Sequence, residues 1–143
     1  MVDTLSVVKV MGGPSILSDR VRSIFDLSKA VSGGLPKAAL RNTLQRIFPA
    51  PGEARSWIHR VVPEATFKRR TRLTATESER TERLARVIAY AEYVWDNTDD
   101  AHVWLTHPHP ELEDKSPIEC AMTELGARQV EEVLGRLFYG LPA

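Results

Sequence analysis

The residues of this 143-residue chain that could do chemistry are concentrated in one stretch, THPHPELEDKSP, at positions 106–117. His107, His109 and Glu111 lie close together there, and imidazole and carboxylate groups are common zinc ligands and general bases. His102 and Cys120 are near enough along the chain to be considered as further ligands. One hypothesis is therefore a small metal-dependent hydrolase.

The spacing of these groups fits a metal site poorly. Neither H-x-x-x-H nor C-x-x-C occurs in the chain, and there is no glycine-rich phosphate loop or dinucleotide-binding fingerprint. Pro108 and Pro110 bias the residues before them toward extended backbone, whereas Ser116 and Pro117 are typical of a helix start. We interpret the stretch as a stiff connector between helices, and the chain as a non-enzyme with no metal and no cofactor.

Composition indicates one ordinary domain or two small ones. Hydrophobic residues make up 43% of the chain, which is enough for a packed core. No apolar run approaches the ~20 residues that a membrane span requires, and Asp3 and Lys9 interrupt the N-terminal stretch where a signal peptide would be apolar. The single Cys120 cannot form an internal disulfide. These features predict a cytoplasmic protein with no membrane partner.

Charge is distributed unevenly, although the formal net charge is zero. Residues 1–72 carry 13 Lys/Arg and 5 Asp/Glu, whereas residues 73–143 carry 6 and 14, so the halves have charges of +8 and −8. A basic half attracts polyanions such as DNA. The alternative is that the two halves attract each other. We place a domain boundary between residues 72 and 73, and since each half is small, we expect a homodimer.

Helical patterns cover the chain and predict an all-α fold, with a cluster of short helices before a small helical domain. Thr74 and Glu77 have the spacing of a capping box that opens a long helix, and Ser116 and Glu119 have the same spacing. The apolar positions expected on buried helix faces are Val21, Ile24, Phe25 and Val31, then Leu40, Leu44, Ile47 and Phe48, then Leu84, Val87, Ile88, Ala91, Val94 and Trp95, and last Ala127, Val130, Val133, Leu134 and Leu137.

The segment ARSWIHRVVPEATFKRRTR, residues 54–72, has the pattern of a helix–turn–helix. Trp57, Ile58 and Val61 would face inward, VVPE would form the turn, and Phe67 would anchor the second helix. Polar and basic side chains on this unit are the predicted DNA contacts, namely Arg55, His59, Thr66, Lys68, Arg69, Arg70 and Arg72. The alternative is a solvated basic face or a linker that contacts the acidic half.

The acidic half contains an ordered pattern of letters that closely resembles the toxin-binding domain of the Xre/MbcA/ParS family of bacterial antitoxins, over about residues 73–143. The basic half, with GLPKAAL and VVPEATFKRR, also resembles the degenerate Xre-type helix–turn–helix that precedes this domain. The residues that carry the resemblance in the acidic half are Trp104, Leu105, Pro108, Pro110, Leu112, Lys115, Ser116, Pro117, Thr123, Glu124, Gly126, Ala127, Arg128, Val130, Leu134, Gly135, Arg136, Tyr139 and Gly140.

The resemblance implies an antitoxin of a type II system that binds a RES-domain toxin, blocks the active site of this NAD-consuming enzyme, and represses its own operon through operator DNA. In the family the C-terminal end does the blocking, which here implies Arg136, Leu137, Phe138, Tyr139, Gly140, Leu141, Pro142 and Ala143. The chain departs from the family at Glu113 and Asp114, where a Gly-Gly pair is usual, and at Phe138, where Glu is common. A dimeric transcriptional regulator without a toxin partner is the alternative function.

Overall fold

A computed structural model of the protein describes residues 2–140, and within them the chain is helical, as predicted. The two β-bridges in this part of the chain, Pro36–Arg72 and His109–Lys115, are isolated and form no strand. The helices are α1 (Thr4–Val10), α2 (Pro14–Leu17), α3 (Ile24–Gly33), α4 (Lys37–Ile47), α5 (Pro51–Val61), α6 (Glu64–Arg69), α7 (Ala75–Trp95), α8 (Thr98–Thr106), a 3-10 helix (Pro110–Leu112), α9 (Pro117–Cys120) and α10 (Glu124–Phe138).

Capping residues set the start of the helices in the acidic half. Thr74 and Glu77 form the predicted capping box at the start of α7. Ser116 caps α9 by accepting a hydrogen bond from the backbone N–H of Glu119. The second predicted capping box is incomplete, because the carboxylate of Glu119 binds both terminal nitrogens of Arg60 on α5 instead. A charge-assisted bidentate contact outweighs a single bond to a backbone N–H.

The buried face of α3 differs from the prediction. Leu27 and Val31 are buried, whereas Ile24 and Phe25 are 79% and 66% exposed. Phe25 lies about 160° around the helix from Leu27 at ~100° per residue, so both cannot face α7. Ile24 is the first residue of the helix and lies beyond the packed turn. The prediction therefore placed on one buried face of α3 residues that point in different directions, Phe25 and Val31.

α7 is the central element of the fold, since it packs against α1, α3 and α4 of the basic half and against α8 and α10 of the acidic half. Leu84, Val87, Ile88 and Ala91 form its buried face, as predicted. The prediction is wrong for Trp95, which is 39% exposed and lies beside Trp104 of α8 at a surface cavity. One cluster of buried residues runs from Val7 to Leu134.

The core therefore continues across residues 72 and 73, where the sequence changes charge. The predicted domain boundary there stays a prediction. α7 begins two residues later, and its buried side contacts helices from both halves.

Ion pairs also join the two halves, in agreement with the alternative that the halves attract each other. Glu92 on α7 accepts two hydrogen bonds from Arg46 on α4, at 2.7 and 2.8 Å, and lies 2.8 Å from Nε2 of His102 on α8. We call these three residues the Glu92 cluster. Burial raises the pKa of Glu92, but the hydrogen bonds from Arg46 and His102 outweigh it and hold the pKa below its usual value.

No helix between residues 2 and 140 is long and apolar enough to cross a membrane.

Candidate functional site

α5 and α6 form the predicted helix–turn–helix pair. α5 buries Ala54, Ile58 and Val61, and it ends at Val62, whose N–H binds the carbonyl of Ile58. Pro63 then caps α6. The turn is therefore short, since only Val62 and Pro63 separate the two helices. The two helices form a compact unit of the type that presents a second helix to DNA.

Phe67 anchors α6, as predicted, and is 8% exposed. Its ring meets the ring of His59 edge-on at 5.7 Å, and Lys37 and Arg41 of α4 lie 5.0 and 5.6 Å from its centroid. The Nζ of Lys37 also donates a hydrogen bond to the carbonyl of Phe67 at 2.9 Å. α6 is thus held against both α4 and α5 by contacts at one residue.

Three of the predicted DNA-binding residues come together at a surface cavity. Arg55 and His59 of α5 and Lys68 of α6 line a cavity of about 290 Å³. Lys37 and Arg41 line it from α4, although the sequence reasoning did not single them out. The sequence contained a signal for them, because they lie four residues apart and so share one side of α4, at the edge of its buried face. We call this feature the basic cavity.

The remaining predicted DNA-binding residues lie elsewhere. Arg70 donates to Glu77 at 2.8 Å, and Arg72 donates to the carbonyl of Gly34 at 2.8 Å. These contacts fasten the segment after α6 to the start of α7 and to the end of α3. Arg69 is exposed and Thr66 is partly buried on α6, and neither lines the basic cavity.

The end of α10 carries exposed aromatic side chains. Phe138 is 45% exposed, Tyr139 is 74% exposed, and their rings meet edge-on at 5.1 Å. Tyr93 of α7, which is 51% exposed, stacks on Phe138 with centroids 5.4 Å apart. We call these three residues the aromatic platform. Tyr93 was not predicted as a site residue, since it lies 45 positions before Phe138 and only the packing of α10 on α7 brings them together.

The other predicted residues of the C-terminal segment support this platform or lie outside the described residues. Leu137 packs against the core. Arg136 donates to Glu111 at 3.2 Å and not to Glu132, with which the sequence spacing would pair it. Gly140 has a φ of 69°, which ends the helical conformation. Leu141, Pro142 and Ala143 lie outside the described residues.

The Nδ1 atoms of His107 and His109 make hydrogen bonds to backbone groups nearby in the sequence. Nδ1 of His107 donates to the carbonyl of Val103 at 2.7 Å, and Nδ1 of His109 accepts from the backbone N–H of Glu111 at 3.2 Å. In residues 2–140 no three His, Cys, Asp or Glu side chains are grouped so that they could hold a metal ion. Burial raises the pKa of the Cys120 thiol, which disfavours the thiolate that a nucleophile requires.

The turn after the 3-10 helix keeps a conformation that glycine favours. Glu113 and Asp114 have φ values of 56° and 60°, in the left-handed region, at the positions where the resemblance led us to expect a Gly-Gly pair. The N–H of His109 binds the carbonyl of Lys115 at 3.1 Å and closes the turn. The departure in sequence therefore leaves a turn of the kind that glycine would form.

Comparisons with known proteins match two consecutive domains in this chain. Residues 26–86 match the family model of the antitoxin Xre-like helix–turn–helix domain. Residues 91–140 match the antitoxin Xre/MbcA/ParS C-terminal toxin-binding domain. The chain is also 28% identical over 131 residues to a protein of Pseudomonas putida named antitoxin Xre, covering 89% of this chain and 77% of that protein.

The first match contains α4, α5 and α6 with the basic cavity, and the second contains α8, α9 and α10 with the aromatic platform. The helix–turn–helix match therefore precedes the toxin-binding match, as the basic cavity precedes the aromatic platform in the sequence. The chain therefore carries an antitoxin Xre-like helix–turn–helix domain followed by the antitoxin Xre/MbcA/ParS C-terminal toxin-binding domain.

Proposed function

We propose that the protein is the cytoplasmic antitoxin of a type II toxin–antitoxin system. In this proposal it binds a RES-domain, NAD-consuming toxin, blocks the active site of that toxin, and represses its own operon by binding operator DNA. The chain itself performs no catalysis. The observation that carries the toxin-binding part is the aromatic platform, because these three side chains in the matched toxin-binding region are 45–74% exposed within the described residues 2–140.

The platform has the features of a binding anchor. Tyr and Phe side chains offer a large contact area at a small entropic cost, and aromatic residues dominate the energetics of many interfaces. Leu137 and the Arg136–Glu111 pair hold the end of α10 in place, so the platform is ordered before a partner arrives. Ordering in advance lowers the entropic cost of inserting the C-terminal segment into a concave pocket.

Co-expression with the neighbouring RES-domain gene tests the toxin-binding part. We expect a stable complex that does not consume NAD⁺. Phe138→Ala and Tyr139→Ala should each weaken the complex by about 10- to 100-fold, because central aromatic anchors carry ~1–3 kcal/mol or more. Leu125→Ala is the matched control, since Leu125 is 71% exposed at the opposite end of α10. Absence of a complex with the wild-type chain, or equal effects of all three substitutions, would contradict the proposal.

The alternative is a dimeric regulator without a toxin partner. Deleting residues 138–143 separates the two functions, because Phe138 is the last residue of α10 and the buried face of that helix is retained. An antitoxin should lose neutralisation and keep operator binding. A regulator without a toxin partner would neutralise no toxin even before the deletion, and it would bind operator DNA equally well before and after it.

We also propose that the chain acts as a homodimer. The exposed Ile24 lines a cavity of about 440 Å³ together with Val7, Leu27 and Val31, and Phe25 is also exposed, so the basic half has uncovered apolar surface. Light scattering on the purified chain should give twice the monomer mass. A monomer at micromolar concentration that still binds operator tightly would count against this part.

A further inference from the structure

We propose that the basic cavity is a binding site for a backbone phosphate of DNA, and that Lys37 and Arg41 of α4 contact this phosphate together with Arg55 and Lys68. The inference rests on the proposed operator binding and adds to it a defined site, its ligand and two contact residues. Its ligand class is a phosphodiester of the duplex.

The cavity is built by three helices that hold its walls in fixed positions. α4 supplies Lys37 and Arg41, α5 supplies Arg55 and His59, and α6 supplies Lys68. The buried Phe67 and Ile58 side chains also line the cavity, so the cations surround an apolar base. A volume of about 290 Å³ at the surface is open to a group on the outside of a duplex.

The charge in the cavity favours an anion. Four permanently charged cations line it, namely Lys37, Arg41, Arg55 and Lys68, against the single carboxylate of Glu64. Glu64 pairs with Lys68 at 3.3 Å, and hydrogen bonding and attraction to that lysine lower the pKa of Glu64. Three cations thus remain without a carboxylate partner in the cavity. A phosphate group fits such a cluster, because its oxygens can accept paired hydrogen bonds from an Arg side chain and further bonds from Lys.

The N–H donors of Lys37 and Arg41 that make no hydrogen bond to the cavity wall favour a contact with the DNA backbone over a contact with base edges. Lys37 uses one of its three N–H donors on the carbonyl of Phe67 and keeps two. Arg41 lies over the ring of Phe67, and that contact leaves all five of its N–H donors available. Both residues are on α4, the helix before the helix–turn–helix pair, and both lie beside Phe67 of α6. Residues in such a position reach the strand that borders the groove, and phosphate contacts there fix the register of α6.

Electrophoretic shift and fluorescence titration with the duplex upstream of the gene provide the test, at several salt concentrations. Arg41→Gln and Arg55→Gln should each weaken binding by about three- to ten-fold, equally for operator and unrelated duplex, and lower the slope of log K against log salt by about 1. Lys29→Gln is the matched control. Lys29 also lies over a phenylalanine ring, 4.6 Å from the centroid of Phe25, but it does not line the cavity.

A scan with neutral methylphosphonates identifies the phosphate itself. One substituted position in the duplex should weaken binding of the wild-type chain, and it should weaken binding of Arg41→Gln by a smaller factor, since one of the contacts to that phosphate is already lost. Lys37→Gln should behave in the same way. Lys37 also holds α6 in place, so the melting temperature of Lys37→Gln must first be shown to match that of the wild type. If the two temperatures differ, the test uses Arg41→Gln alone.

The outcomes separate the inference from the function on which it rests. If the wild-type chain binds no duplex at low salt, the proposed operator binding fails. If the wild type binds and Arg41→Gln and Arg55→Gln keep its affinity and salt slope, the phosphate site is wrong. Equal losses in Lys29→Gln would also overturn it, because they would reflect net charge alone. An unchanged methylphosphonate profile in Arg41→Gln has the same meaning.

Discussion

Replacing Glu92 by Gln should destabilise the fold more than removing any exposed charge. Gln has one acceptor oxygen where the carboxylate has two, so the contacts of one carboxylate oxygen are lost and the amide N–H₂ faces a donor in their place. His102 would lose its charged partner at the same time. Because the three residues lie on α4, α7 and α8, the substitution weakens the contact between the basic and the acidic halves.

The size of the effect follows from burial. The side chains of Arg46, Glu92 and His102 are 27%, 15% and 17% exposed, so water can replace the lost contacts only in part. Hydrogen bonds to charged groups contribute ~1.5–3 kcal/mol, and breaking a fully buried ion pair costs ~3–5 kcal/mol. For this half-buried cluster we expect a loss of about 2–3 kcal/mol, or about 6–10 °C in the unfolding temperature.

The assay is thermal and urea unfolding followed by circular dichroism. The lowered pKa of Glu92 means that the folded state holds the carboxylate ionised more strongly than the unfolded state does. The stabilisation is therefore complete above about pH 5 and is lost as the pH falls through the folded pKa. The difference between the wild type and Glu92→Gln should follow this dependence and shrink in acid.

Glu64→Gln is the matched control. Glu64 also pairs with a cation, but both side chains of that pair are more than half exposed, so its unfolding temperature should stay within about 1 °C of the wild type. Glu92→Gln should have a smaller effect in an Arg46→Met background, because the two residues act together. Equal unfolding temperatures for Glu92→Gln and Glu64→Gln would refute the reasoning.

Three other substitutions test the toxin-binding domain. Gly126→Ala should lower the urea midpoint by the equivalent of about 1–3 kcal/mol or more, because an added Cβ would collide with the carbonyl of Cys120, whereas Gly52→Ala has open space and should be tolerated. Glu113→Gly and Asp114→Gly should each stabilise the chain by about 1 kcal/mol, since both residues adopt left-handed backbone, and unchanged or lower midpoints would show that their side chains offset that strain.

The sequence predicted the helices well because local signals start and stop them. The Thr74–Glu77 capping box and the helix-ending Gly33 act within a few residues, so their effects can be read from the chain. The buried faces of α4 and α10 were also predictable, since apolar side chains repeat there at the helical period. α3 was the exception because two apolar faces overlap in sequence and only α7 selects between them.

Site residues were harder to predict, because they depend on contacts between distant segments. Tyr93 joins Phe138 only through the packing of α10 on α7, and Lys37 reaches Phe67 across 30 positions. The high local density of positive charge was a poor guide to the contacts of Arg70 and Arg72. Arg70 and Arg72 belong to the most basic run of the chain, but their contacts with Glu77 and the Gly34 carbonyl hold the fold together.

The position of α7 has a consequence for how the protein is removed from a cell. Its buried side belongs to a core that both halves share, so neither half keeps its packing once α7 unfolds. A protease that captures the unfolded chain would therefore destroy the DNA-binding and toxin-binding surfaces in one event. Under the proposed function, each degraded molecule releases its toxin and its operator together, so the supply of fresh transcript rises in step with the amount of free toxin.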